Sequence, residues 1–541
     1  MKKNSFVEGT IIASFAIILT KILGVLYVIP FYSIIGEDGG VLYSYAYNIY
    51  NLFLNISTAG IPIAISMVIS EYSSLGMNDA KERSYKISKK VILTFSIIAF
   101  LILFIFADNF GMFFLKGIQG GNNINDVALV IRAISFCLLI TPFLSVLRGY
   151  LQGHKFIAPT SISQVIEQVV RIIVVLLGSY ISIKVIESSI PIGVSVALTG
   201  AFFGGLIAYI YLKFKVNKNK SLFKIPEKKD DVSNKEIVKK IITYAIPLII
   251  TSIVSNLYDL VDMKLVIKGL YMIGYDALTS ELISSIIATW GPKICMVIVA
   301  VSMGLTTSLI PHLIDNFVKG EMKAVNNKFN QAVGTILVIT IPMAVGLFML
   351  AEPVYTVFYG DNYYGPLILK FLAILNIFTG VLAVINTSLQ GLKKFKIIYL
   401  NSIVGLVVNA LLDIPLILLF NKIGIYPFYG TIAATIIGCS VSFIIVFIYL
   451  KKEFKFNYKP IFKTIGKIIL PLVSMILVIY LLKLVIPLKN ISYTLLIIYL
   501  IILVLVGAFV YLFILYRNKG LYDIFGEEFV DSKLRKLHLK K

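Results

Sequence analysis

In the stretch SQVIEQVVRIIVVLLG, residues 163–178, Glu167 and Arg171 stand four residues apart in a run that is otherwise almost wholly apolar. On a helix that spacing puts both side chains on one face. Further basic residues lie in comparable surroundings: Lys21 in IILTKILGVLYVIPF, Arg132 in VIRAIS, Arg148 in LSVLRGYLQG and Lys293 in WGPKICMVIVA. Ammonium and guanidinium groups set among apolar residues suit an anion, and the planar guanidinium suits phosphate in particular. A second set offers oxygen. SNLYDLVDMKL (255–265) holds Asn256, Asp259 and Asp262; GLVVNALLDIPL (405–416) holds Asn409 and Asp413; GTIAATIIG (430–438) holds Thr431 and Thr435. Carboxylate, amide and hydroxyl oxygens at similar depth suit a hard cation such as sodium, or a proton relay.

Each set has a second reading. Glu167 and Arg171 can simply bind each other and lock their helix to a neighbour. Arg148, followed by Lys155, also fits a positive charge at the cytoplasmic end of a helix. The oxygen set also fits a hydrogen-bonded network between helices. Covalent chemistry has less to work with. Cys137, Cys295 and Cys439 are far apart in apolar runs, His154, His312 and His538 are scattered, and no Walker A pattern occurs. These residues call for binding and transport, not for an enzyme.

The elements that must position these charges are membrane helices. Of the 541 residues 58% are hydrophobic, and the mean hydropathy is +0.91, far above what a soluble core can hide. A helix needs about 20 apolar residues to cross the hydrocarbon of a bilayer. Fourteen such segments are predicted, at about 9–31, 43–69, 88–107, 127–150, 160–183, 190–212, 238–264, 286–312, 331–351, 365–390, 398–420, 430–450, 465–486 and 493–516. The first resembles a signal peptide, but no small-residue cleavage site follows and the run continues to about Phe31, so it reads as a span. Lys21 and Arg171 each lie about twelve residues into their spans, roughly 18 Å along a helix, too central for easy snorkelling.

The formal net charge is +22 and the pI near 9.5, and the bases gather in alternate loops: KERSYKISKK (81–90), 213–240, KGEMKAVNNK (319–328), KKFK (393–396), KKEFKFNYK (451–459) and the tail after Arg517. The intervening loops 32–42 and 352–364 contain no base. The asymmetry predicts that both termini are cytoplasmic. It assigns the charge to an anionic membrane face, which excludes nucleic acid as partner.

The chain also repeats itself. Gly60, Gly76 and Ala80 of GIPIAISMVISEYSSLGMNDA match Gly304, Gly320 and Ala324 of GLTTSLIPHLIDNFVKGEMKA at one offset. YLQGHKF (150–156) echoes SLQGLKKF (388–395), and EQVVR (167–171) then falls over GLVVN (405–409). An even number of helices per repeat gives a parallel repeat, about an axis along the membrane normal. The expected architecture is therefore all-α: a six-helix lobe over 1–212, a basic cytoplasmic linker at 213–237, a second six-helix lobe over 238–450, and two extra helices with a basic tail at 451–541. Paired bundles around an axis make a central cavity, and rocking them gives alternating access.

KILGVLYVIPFY (21–32), TAGIPIAIS (58–66), RGYLQG (148–153) and SQVIEQVVRI (163–172) resemble the Gram-positive branch of the lipid II flippases. That branch belongs to the multidrug/oligosaccharidyl-lipid/polysaccharide exporter superfamily and is related to stage V sporulation protein B. The resemblance covers essentially the whole chain. It implies a monomer with a V-shaped pair of lobes, a groove for the undecaprenyl tail on the last two helices, and a cationic cavity for a pyrophosphate-linked glycan headgroup. Of two arginines usual in span one, the first falls on Lys21 and the second on Tyr27; one usual in span two falls near Leu54 or Asn55; a base in span eight falls on or beside Lys293. Arg132, Arg148 and Arg171, with Glu167, are expected to complete the substrate site. The family's sodium site would map to Asp262, Asn409, Asp413, Thr431 and Thr435. A flippase for another lipid-linked polysaccharide, a drug/cation antiporter of the same fold, and a membrane glycosyltransferase are the rival readings. The basic cavity argues against the antiporter, and the short outer loops against the glycosyltransferase.

Overall fold

The structure is a computed structural model that describes residues 6–525 and 531, except 59, 220–222, 224–230, 299–312, 314–315, 318 and 486–491. Among these residues the regular elements are all helical. In chain order they are α1 Phe6–Leu26, α2 Val28–Thr58, α3 Ile61–Ser74, α4 Asn78–Ile105, α5 Ala107–Leu115, α6 Ile124–Ser135, α7 Thr141–Gly153, α8 Ile157–Tyr180, α9 Ile190–Leu198, α10 Gly200–Lys218, α11 Asn234–Met272 and α12 Ala277–Ser285. Then follow α13 Met322–Met349, α14 Ala351–Tyr359, α15 Tyr364–Gly391, α16 Phe395–Lys422, α17 Tyr429–Phe454, α18 Lys459–Val485, α19 Tyr493–Arg517 and α20 Gly520–Phe525. Thirteen segments among them are long and apolar enough to cross a membrane. With α1 ahead of them they correspond to the fourteen spans read from hydropathy. The first loop is tighter than expected: α2 bends at Gly36, where φ is 68°, and Glu37 and Asp38 follow at once.

The chain forms two compact units, Met1–Trp290 and Gly291–Lys541. In this conformation α11, which the repeat assigns to the second half, packs on α2, α3 and α4 within the first unit. Its N-terminal end is tied there by Lys240, whose Nζ donates to Glu71 at 2.6 Å, and its middle by Asn55, whose amide donates to Asn256 at 3.1 Å. Prolines stand inside α11, α13, α16 and α18, at Pro247, Pro342, Pro415 and Pro471. Such breaks in the hydrogen-bond ladder are tolerated in membrane helices where neighbours re-satisfy the backbone.

The repeat shows in the turns. Gly76 and Gly320 both take a left-handed conformation, with φ of 72° and 75°. Around them Met77 N–H donates to Tyr72 and Glu321 N–H to Asn316, at 2.9 and 3.0 Å. Lys155 and Lys393 are likewise left-handed, with φ of 65° and 57°, and each N–H donates to the carbonyl three residues earlier, on Gln152 and Gln390. The sequence echoes at 150–156 and 388–395 are thus one turn built twice. Gly304 and most of its segment lie outside the described residues, as do His312 and His538.

Candidate functional site

The apolar face of α8 carries Ile162, Val169, Ile173 and Leu177, all exposed, as lipid-facing side chains are. Glu167 and Arg171 are turned away from that face. Arg171 donates from Nη2 to Glu167 Oε1 at 2.8 Å. The second oxygen, Oε2, is ion-paired to Nη2 of Arg148 on α7 at 2.9 Å. Nε of Arg148 donates to the Ser163 hydroxyl at 2.9 Å, and that hydroxyl donates to the Thr160 carbonyl at 2.6 Å. One carboxylate therefore holds two guanidiniums, with a serine one turn earlier steadying the first. Glu167 does bind Arg171, as the mutual-pairing reading expects, and it also binds Arg148 of α7. The group remains net cationic, two bases against one acid, and all three side chains keep some exposure, 15% for Arg148, 13% for Glu167 and 27% for Arg171. Arg171 Nε is buried with no hydrogen-bond partner among the described residues. Tyr27, Tyr47 and Tyr50 stand close enough to feel its charge.

Small residues make room for this arrangement. A Cβ on Gly204 of α10 would lie 2.5 Å from the Glu167 carbonyl oxygen and 3.3 Å from Arg171 Cβ; one on Gly200 would lie 2.9 Å from the Arg171 carbonyl. The GAFFG segment (200–204) thus brings α10 onto the α8 backbone at the level of the charges, the close approach that small residues four apart permit in membranes. On the other side Gly24 of α1 rests on Gln168, its virtual Cβ 3.3 Å from Nε2. Lys21, three residues earlier on α1, is half-buried and has no hydrogen-bond or ion-pair partner among the described residues. Arg132 is engaged elsewhere: its guanidinium pairs with Asp108 at the start of α5. Lys293 is buried and belongs to the second unit.

In the second unit α17 packs along α16 by the same device. A Cβ on Gly438 would lie 2.6 Å from the Gly405 carbonyl and 3.4 Å from Asn409 Cβ. These are the partners that the repeat sets against Glu167 and Arg171, so Asn409 stands where the first unit has its guanidinium. Gly430 marks the other end of the contact, its virtual Cβ 2.5 Å from Ile417 N, and Asp413 lies on α16 between the two close approaches. Asn409, Asp413, Thr431 and Thr435 are all buried. Thr435 donates to the Thr431 carbonyl at 3.0 Å, while the Thr431 hydroxyl has no partner among the described residues. The polar ladder continues through Asn401, whose amide donates to Asn386 at 3.1 Å and whose carbonyl accepts from Ser442 at 2.8 Å. Asp262 is buried on α11, in the first unit.

Some polar residues escaped the sequence reading. Ser163 sits one turn before Glu167, at a spacing that signals a shared face. Glu281 is a buried acid on α12 whose carboxylate accepts from the backbone N–H of Asn122 at 3.0 Å and from its side-chain amide; it falls between the predicted spans 238–264 and 286–312, so hydropathy left it in a loop. Asn48 donates to Thr289 at 2.8 Å beside Ser44, and Trp290 Nε1 donates to the Gly40 carbonyl at 3.1 Å within a cluster of Phe31, Tyr32 and Tyr43.

The family model described as polysaccharide biosynthesis protein matches residues 6–281. The lipid II flippase MurJ of Bacillus subtilis (strain 168) is 32% identical over 469 residues, covering 85% of each chain. Among solved structures, the lipid II flippase MurJ in an inward closed conformation superposes with a TM-score of 0.60 at 20% identity, over 95% of this chain and 99% of that one. An inward-facing multidrug resistance transporter of the MATE family superposes with 0.66 at 14% identity, over 80% and 94%; at such identities both likenesses speak for the fold. On the family match and the extent of the alignment, this chain belongs to the polysaccharide biosynthesis protein family, in the group of the lipid II flippases.

Proposed function

We propose that the protein is a flippase that carries lipid II, the undecaprenyl-pyrophosphate-linked peptidoglycan precursor, from the inner to the outer leaflet of the bacterial cytoplasmic membrane by alternating access. It is a transporter and not a catalyst, and its partners are the lipid-linked substrate and the surrounding lipids. The observation that carries the reading is the net-cationic group of Arg148, Glu167 and Arg171, set into a chain that aligns over 85% of its length with a lipid II flippase. Lys21 is assigned to the same headgroup path within the first unit. Guanidinium pairs bind phosphate oxygens with charge-assisted bonds, while the polyprenyl tail stays in lipid beside the last two spans. The chain acts as a monomer with both termini cytoplasmic. The six-helix lobes 1–212 and 238–450 rock about the linker 213–237, with 451–541 as the tail-binding appendage.

A sodium ion fits the second unit. Asn409, Asp413 and Thr431 supply an amide, a carboxylate and a hydroxyl, all buried, and the Thr431 hydroxyl is unmet among the described residues. Thr435 completes the proposed set within the second unit; Asp262, on α11, lies in the first unit. Bound there, sodium would couple its own gradient to the transport cycle, with the membrane potential as the alternative drive. A second substrate reading, another lipid-linked polysaccharide precursor, is favoured only by the breadth of the family description.

The deciding experiment is depletion in the native cell. Lipid II should accumulate on the cytoplasmic side; accumulation of a different lipid-linked glycan would move the assignment to the second reading. Lys21→Ala and Arg171→Ala should each abolish rescue while the protein remains in the membrane. Normal export by both variants would refute the site.

A further inference from the structure

Lobes that rock must part on one side of the membrane while they close on the other. By the sequence repeat α12 belongs to the second lobe, yet here it is held to the first through a buried carboxylate. Glu281 accepts from the backbone N–H of Asn122 at 3.0 Å and from its side-chain amide at 2.5 Å, and the residue is fully buried. Asn122 lies in the loop 116–123 between α5 and α6, which covers the carboxylate. Gly117 and Gly120 make the turns of this loop, both left-handed, with φ of 84° and 87°. Gly121 lets it close: a Cβ there would overlap Glu281 Oε1 and lie 3.2 Å from Ala277 Cβ. Two turns further along the same segment, the Thr289 hydroxyl shares a hydrogen bond with Ser44 of α2 at 2.5 Å. We propose that Glu281 and the loop 116–123 form the latch of the outer gate, which must open for the headgroup to leave. The inference rests on the alternating-access reading and the orientation above, and goes beyond them in naming the parts that hold the outer side shut.

The tie at the N-terminal end of α11 is different in kind. Lys240 and Glu71 are both partly exposed, so water can replace either partner and the pair contributes little. Glu281 has no such substitute. Moving Asn122 away leaves a buried carboxylate unmet, which is costly unless water enters with the movement. The latch therefore gives way only as the contact between α12 and α2 becomes wet, and it biases the resting protein towards a closed outer side.

The test is the access of an impermeant maleimide, in intact cells, to a reporter cysteine at Ser44, which is buried where α2 meets Thr289. It uses the full chain in its own membrane and needs no substrate. Glu281→Gln keeps the size of the side chain but turns a donor towards Asn122, and it should raise reporter labelling about tenfold, the worth of one hydrogen bond to a charged group. Gly121→Ala attacks the latch from the loop, at a residue whose φ lies outside the left-handed region, and should do the same. Asn122→Ala keeps the backbone donor and should raise labelling less. The same variants without the reporter should stay unlabelled, since a chain that merely unfolds exposes Cys137, Cys295 and Cys439 as well. Where Glu281→Gln fails that control, Gly121→Ala and Asn122→Ala decide. Reporter labelling unchanged in these folded variants overturns the latch. Labelling that rises only after permeabilisation overturns it too, by placing the loop on the inner side. Failure of the lipid II assignment shows separately, in which glycan accumulates on depletion, and leaves the labelling result standing.

Discussion

At the scale of single residues, the Arg148–Glu167–Arg171 group is balanced by geometry more than by net attraction. Taking charges out of water costs several kcal/mol per ion, and an ion pair recovers this only if its bonds are well made. Replacing Glu167 by Ala strands two guanidiniums, and the expected loss of stability is about 3–5 kcal/mol, read as a fall in the melting temperature of the purified protein. Arg132→Ala, which frees a half-exposed pair with Asp108, should cost no more than about 1 kcal/mol in the same assay. In the second unit, Asp413→Ala should abolish sodium dependence of transport in proteoliposomes; a variant still stimulated by sodium would remove Asp413 from the cation site. Glu167 and Arg171 were legible because four residues is one helical turn. That Arg148 joins them was not, because the contact crosses the turn between α7 and α8, and sequence spacing cannot say which way a long side chain leans at a helix end.

At the scale of elements, the informative residues are the glycines. Gly204 and Gly438 occupy matching contacts, each under a carbonyl oxygen one turn from the key polar residue. Gly204→Val and Gly438→Val should each force their helix pair apart and destabilise by about 1–3 kcal/mol or more through overpacking, measurable by thermal unfolding; Gly346→Ala, where a Cβ would meet nothing within 4 Å, is the control expected to be near neutral. The sequence repeat did not align these two glycines. The first half carries four more residues between the two contacts, in a stretch that includes the π-helical turn Ile181–Val185, so one constant offset cannot follow both helices. The turns at Gly76 and Gly320 were legible because a left-handed position restricts the residue choice strongly.

At the scale of the molecule, hydropathy was enough to find the spans, because a bilayer imposes one length on every helix that crosses it. The position of the division between compact units was not readable. It depends on which neighbours α11 takes in one conformation, and its polar contacts to Glu71 and Asn55 come from residues that look like ordinary helix-end and interhelical groups in sequence. The orientation can be checked directly. Cys137, Cys295 and Cys439 are all buried, so single cysteines introduced elsewhere should dominate labelling of native membranes. A cysteine at Asp361 should react with an impermeant maleimide in intact cells, and one at Lys452 only after permeabilisation; the reverse pattern would invert the topology.

Trp290 is the sole tryptophan in the sequence, is fully buried, and is the last residue of the first unit, against Phe31, Tyr32 and Tyr43. The protein thus comes with a built-in fluorophore at one diagnostic place, the last residue of the π-helical turn Ile286–Trp290 and three residues before Lys293. Its emission in the resting state should be blue and poorly quenched by acrylamide. Any step of the cycle that wets this corner must redden it, so turnover can be timed by stopped-flow on unlabelled protein.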